Sequence, residues 1–150
     1  SEYRQNLTTG QWVIIATERA QRPEDFTPPV THNIRPGQPS YSTSCPFCVG
    51  GDADTARASV ERLDSGNHWK VRIIPNKYAS VSRDGSPKTI ATGKFVRGDG
   101  YGVSDVVIES PLHNTHPALM SAEDVTLGLE AMRSRFLQLT EDPALRVIHL

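Results

Sequence analysis

The sequence predicts an α+β fold with a mainly antiparallel sheet and one long helix. Two observations carry this expectation. Short β-branched or alternating runs are separated by turn-rich segments, the pattern of strands that fold back on one another. A single later run repeats its apolar residues at helical spacing and is followed by one more strand-like stretch.

Taken in order, Gln11 to Thr17 is apolar and β-branched and follows the turn-like Thr8-Thr9-Gly10, which predicts an opening strand. From Arg22 to Gly51, six prolines (Pro23, Pro28, Pro29, Pro36, Pro39 and Pro46) remove backbone donors and block helix, so an extended surface loop is expected. Trp69 to Pro75 sets Trp69, Val71 and Ile73 against Lys70 and Arg72, the alternation of a strand with one buried face. Val103 to Glu109 predicts a further strand. Between these two, Ser82 to Gly102 is rich in Gly, Ser, Lys and Asp without a period and reads as an irregular connection.

Ser121 precedes Asp124 by three residues, as in a capping box with Asp in place of Glu, so a helix is expected to begin there. Val125, Leu129, Met132, Phe136 and Leu139 would then lay one apolar stripe against the sheet until Pro143 ends the helix. Leu145 to Leu150 reads as another strand that stops while still apolar, so the domain is expected to be interrupted at its C-terminal end.

At 150 residues and 37% hydrophobic content the chain can build one core, and residues 1–150 are read as one domain. Its 16 basic and 17 acidic residues leave a net charge of -1, without the basic field that holds nucleic acid by its phosphates. The early apolar run Trp12 to Ala16 is too short for a signal-peptide core, and no segment approaches the length that crosses a bilayer. A soluble cytoplasmic protein with no nucleic-acid or membrane partner is the expectation.

Both cysteines lie in Cys45-Pro46-Phe47-Cys48, where the spacing brings two sulfurs to one point and Val49-Gly50-Gly51 lets backbone amides turn toward them. This is a zinc-knuckle arrangement. A thioredoxin-type redox pair shares the spacing but normally sits between a strand and a helix start, whereas prolines and serines precede this one. Two thiolates fill half of a tetrahedral site, so another ligand is needed, with His32, His68, His113, His116 and His149 available. His113 stands first among them, because Pro111 stiffens the strand exit before it, and His116 is a substitute three residues on. Each histidine taken singly also reads as a surface loop residue.

Arg19 and Arg22 follow the opening strand and offer fixed donors suited to diphosphate oxygens, or stand as solvated charge. Asn76, with Lys77 beside it, directly follows the Trp69 strand. Its amide both donates and accepts, as holding a base edge, ribose or phosphate requires, and equally as an ordinary Asn turn requires.

Joined in order, Tyr3 to Ala16, Glu18-Arg-Ala-Gln-Arg-Pro, Cys45-Pro-Phe-Cys, Pro75-Asn-Lys-Tyr and Val106-Val-Ile-Glu-Ser-Pro-Leu-His113 resemble the N-terminal portion of the galactose-1-phosphate uridylyltransferase family. That family is part of the histidine-triad superfamily. The resemblance implies an α+β half-barrel that moves uridylyl between UDP-glucose and galactose 1-phosphate through a uridylyl-histidine intermediate. It implies that Cys45, Cys48 and His113 match three ligands of a structural zinc. It places Arg19 and Arg22 near the nucleotide phosphates and Asn76, with Lys77 in the same motif, at the nucleotide. The implied partners are a nucleotide sugar, a hexose 1-phosphate and a second copy of the chain.

This sequence also departs from the family's pattern. The His-x-His-x-His segment that supplies the nucleophile and a fourth zinc ligand is absent, and His149 is read as a strand side chain instead. Ala79 stands where such relatives often have Pro, and Ser104 where they often have His. Two alternatives follow: an ADP-sugar phosphorylase or adenylyltransferase of the same superfamily, or a zinc-stabilised fragment without catalysis of its own.

Overall fold

The computed structural model describes residues 1–16, 37–48, 61–65 and 68–150. As expected, the fold is α+β: among the described residues, seven strands form two antiparallel sheets and one α-helix accompanies the second. The chain divides into two compact units, residues 1–32 with 76–104 and residues 33–75 with 105–150.

In the first unit, β1 (Glu2–Gln5) and β2 (Trp12–Ile15) form a hairpin. Asn6 shapes its loop by accepting from the Thr8 and Thr9 amides at 2.8 and 3.2 Å. Gly10 closes it at φ 72°, a left-handed conformation that favours glycine. The expected opening strand is thus β2, and β1 was not foreseen. β1 also pairs with β6 (Phe95–Asp99), which pairs with β5 (Thr89–Thr92), giving the order β2-β1-β6-β5.

The stretch Ser82 to Gly102 is therefore not an irregular connection, because it contains the β5–β6 hairpin. Thr92 pairs with Phe95 across a two-residue loop whose first member, Gly93, sits at φ 61°. β5 is exposed along its whole length, so no buried face imprints an alternation on its sequence.

In the second unit, β4 (His68–Pro75) runs between β3 (Glu61–Ser65) and β7 (Asp105–Ile108). The expected alternation along β4 does not hold, for a definite reason. Pairing shifts from Leu63 opposite Val71 to Asp64 opposite Trp69, so Lys70 is an extra residue bulged out of the ladder. The bulge reverses the side on which Trp69 projects. Trp69 packs with Ile74, Ile108 and Val106 on one face, and the Arg72 guanidinium lies 5.5 Å from its ring centroid. Val71 and Ile73 pack on the other face with Val107, Leu127 and Ala131. Arg72 is buried, not solvent-facing as the alternation implied.

The helix, α1 (Ala122–Thr140), starts as its sequence dictates: the Ser121 hydroxyl oxygen accepts from the Asp124 amide at 3.1 Å. The same hydroxyl donates to the Asp124 carboxylate at 2.9 Å, and the Lys70 ammonium donates to that carboxylate at 3.2 Å. The sheet-facing stripe is not the expected one. Gly128 and Ala131 are the buried positions, whereas Leu129 is 60% and Phe136 36% exposed. Relative to expectation the helix is turned by one residue, roughly 100°. Near its C-terminal end Arg135 Nε donates to Asp105 Oδ2 at 2.9 Å, tying the helix to the start of β7. Leu145 to Leu150 forms no strand; Val147 and Leu150 are 71% and 88% exposed, and no described strand offers their backbone a ladder partner.

Candidate functional site

Among the described residues, one group of metal-ligand-type side chains gathers where the exit of β7 meets the segment 37–48. After Ile108 the chain turns through Ser110 and Pro111, and the His113 amide donates to the Ser40 carbonyl at 2.8 Å. One residue on, Asn114 Nδ2 donates to the Gln38 carbonyl at 3.1 Å. These two bonds fasten residues 37–48, a succession of turns, alongside the β7 exit. A further bond from the Cys45 amide to the Ser42 carbonyl, 3.2 Å, turns that segment back on itself.

The result is that one ligand atom each from Cys45, Cys48 and His113 lies within 4.8 Å of the others. Cys48 Sγ and His113 Nδ1 are 3.7 Å apart. Tetrahedral zinc with its usual Zn–S and Zn–N lengths separates such atoms by about 3.6 Å, so the spacing fits. Both cysteines are free thiols, Cys48 buried and Cys45 half-buried, while His113 is exposed. Burial pushes the Cys48 thiol up, with hydrogen bonding to the Ser42 backbone acting in the opposite sense. A divalent cation would reverse that preference, because thiolates bind metals and thiols do not.

His116 does not join the group. Its Nδ1 accepts from the Ala118 amide at 3.3 Å and so caps the short 3-10 helix Pro117–Leu119. It lines instead a cleft of about 200 Å³ with Phe47, Val106, Glu109, Leu112 and Met120. His149 lies in the exposed terminal segment. Arg19, Arg22 and His32 lie outside the described residues, as do Val49, Gly50 and Gly51.

Asn76 and Lys77 are in the first unit, on the turn that follows β4 in the sequence. The Asn76 amide donates to the Ser104 carbonyl at 2.9 Å, and its side-chain oxygen accepts from the Tyr78 amide at 2.9 Å. Its Nδ2 donates to Ser104 Oγ at 3.1 Å. Lys77 is exposed, its ammonium 5.7 Å from the Tyr78 ring centroid. In the sequence Ser104 stands out only as a departure from a family pattern; its contact with Asn76 carries no local signature, since 28 residues separate them. The carbonyls of Gln38 and Ser40 were equally invisible, because any residue supplies a carbonyl.

Over 99% of its length the chain is 34% identical to an ADP-glucose phosphorylase of Arabidopsis thaliana, and over the same share 26% identical to a galactose-1-phosphate uridylyltransferase of Thermotoga maritima. Its homologues are galactose-1-phosphate uridylyltransferase-like proteins. The chain spans 42% and 39% of those two uridylyltransferase-like relatives. The fold agrees: a crystal structure of an ADP-glucose phosphorylase from Arabidopsis thaliana with bound ADP-glucose superposes with a TM-score of 0.54 at 29% identity. That match covers 96% of this chain and 40% of the other. No protein-family model matches.

Proposed function

We propose that the whole protein is a nucleotidyltransferase that takes its nucleotidyl group from a nucleotide sugar and passes it to a phosphate-bearing acceptor. The observation that supports this most is the convergence of Cys45, Cys48 and His113 in a chain whose homologues are uridylyltransferase-like. In this reading Cys45, Cys48 and His113 hold a zinc ion, which when bound crosslinks the turn segment to the β7 exit. Arg19 and Arg22 bind the diphosphate oxygens through charge-assisted donors. Asn76 meets the nucleotide through its carboxamide, with the Lys77 ammonium available to an anionic group beside it. In this reading the attacking histidine belongs to a His-x-His-x-His segment, a motif that these 150 residues do not contain.

Two donors fit this scheme. Uridylyl transfer between UDP-glucose and galactose 1-phosphate is the reading that the family resemblance implies. Adenylyl transfer from ADP-glucose is favoured by the higher identity to the ADP-glucose phosphorylase, 34% against 26%. Incubating the whole protein with each nucleotide sugar should give an acid-labile nucleotidyl-protein adduct with one of them. The donor that forms it identifies the base; absence of an adduct with both defeats the proposal.

A further inference from the structure

We infer that Ser104 is a positioning residue that fixes which way the Asn76 carboxamide faces a nucleotide; this rests on the reading that Asn76 binds one. The orientation follows from chemistry. The Tyr78 amide lies 2.9 Å from one end of the carboxamide, and a backbone N–H only donates, so that end is the oxygen. The NH2 end therefore faces Ser104 Oγ at 3.1 Å, which accepts one of its two hydrogens. The second NH2 hydrogen and the second oxygen lone pair remain for a ligand, at a half-buried position on an open turn.

Tyr78 anchors the oxygen from the backbone and survives any substitution short of proline. Ser104 is the side-chain half of the clamp. Without it the amide rotates about χ2, a soft torsion, and presents its donor in more than one direction. The backbone bond from the Asn76 amide to the Ser104 carbonyl, 2.9 Å, does not depend on the hydroxyl and should hold the turn in either case. The predicted loss is therefore one of ligand affinity, not of folding.

The test uses the whole protein and measures dissociation constants for UDP-glucose and ADP-glucose by titration calorimetry. The variants are Ser104→Ala, Ser104→Thr, Asn76→Ala and the double variant Asn76→Ala with Ser104→Ala. Ser104→Ala should weaken the preferred nucleotide sugar by roughly fivefold, the scale of one net hydrogen bond. Ser104→Thr, which keeps the hydroxyl, should restore wild-type binding. Added to Asn76→Ala, the Ser104→Ala change should have no further effect, whereas a merely structural serine would weaken binding in both backgrounds. If Asn76→Ala weakens binding and Ser104→Ala does not, the inference about Ser104 fails alone. If Asn76→Ala leaves both affinities unchanged, the nucleotide role of Asn76 fails and the inference with it. Unchanged circular dichroism and melting temperature are expected for Ser104→Ala; a melting temperature lowered in Ser104→Ala and Ser104→Thr alike would assign the residue a structural role and overturn the inference.

Discussion

Gly128 lies buried in the middle of α1, yet a Cβ added there would meet no atom within 4 Å. Gly128→Ala keeps every contact and removes backbone freedom from the unfolded chain, so stability should rise by about 1 kcal/mol. A denaturant midpoint that moves down would contradict the open space. Ile73 is the opposite case, packed with Val71 and Ala131 and 1% exposed, and Ile73→Ala should cost about 2 to 5 kcal/mol by the same measurement. At the proposed metal site, combining Cys45→Ser with Cys48→Ser should remove most of the zinc and much of the folded protein, read by metal analysis and circular dichroism. The cysteine pair and His113 were legible in the sequence because their side chains carry the chemistry. The bonds that bring them together were not, since the acceptors at Ser40 and Gln38 are backbone carbonyls.

Among the elements, α1 shows how local signals succeed and long-range ones do not. Its start was readable from Ser121 and Asp124, and Ser121→Ala should cost about 1 kcal/mol in thermal unfolding. The Ser121 hydroxyl first, and the Lys70 ammonium second, hold the Asp124 carboxyl below the ordinary aspartate range. A depressed carboxyl binds protons less readily folded than unfolded, so its stabilisation is present above that range and lost as pH falls through the folded value. Melting temperatures followed downward through the carboxylate range should therefore fall, and fall less in Ser121→Ala; equal slopes would contradict the assignment. Which face of α1 meets the sheet was not readable. The bulge at Lys70 arises from pairing with β3, and Ala131, not the larger Leu129 or Phe136, packs on Val71 and Ile73 of the sheet, which periodicity alone does not reveal. The β5–β6 hairpin was missed because it is largely exposed; its one local mark is Gly93 at the first loop position between β-forming residues.

At the scale of the molecule, each unit is assembled from stretches distant in sequence, residues 1–32 with 76–104 and residues 33–75 with 105–150. Pairings such as Glu2 with Asp99 make β1 a strand, and nothing near Glu2 announces them. The fold class was nonetheless legible, since strand and helix composition survive ignorance of the pairing. The proposed metal site obeys the same long-range logic, as Cys48 and His113 stand 65 residues apart and meet at 3.7 Å. X-ray absorption at the zinc edge on the freshly prepared whole protein tests this centre most directly. Two sulfur ligands and imidazole scattering, with the imidazole contribution reduced in His113→Ala, is the predicted result. Protein free of zinc, or zinc without sulfur in its coordination sphere, would contradict it.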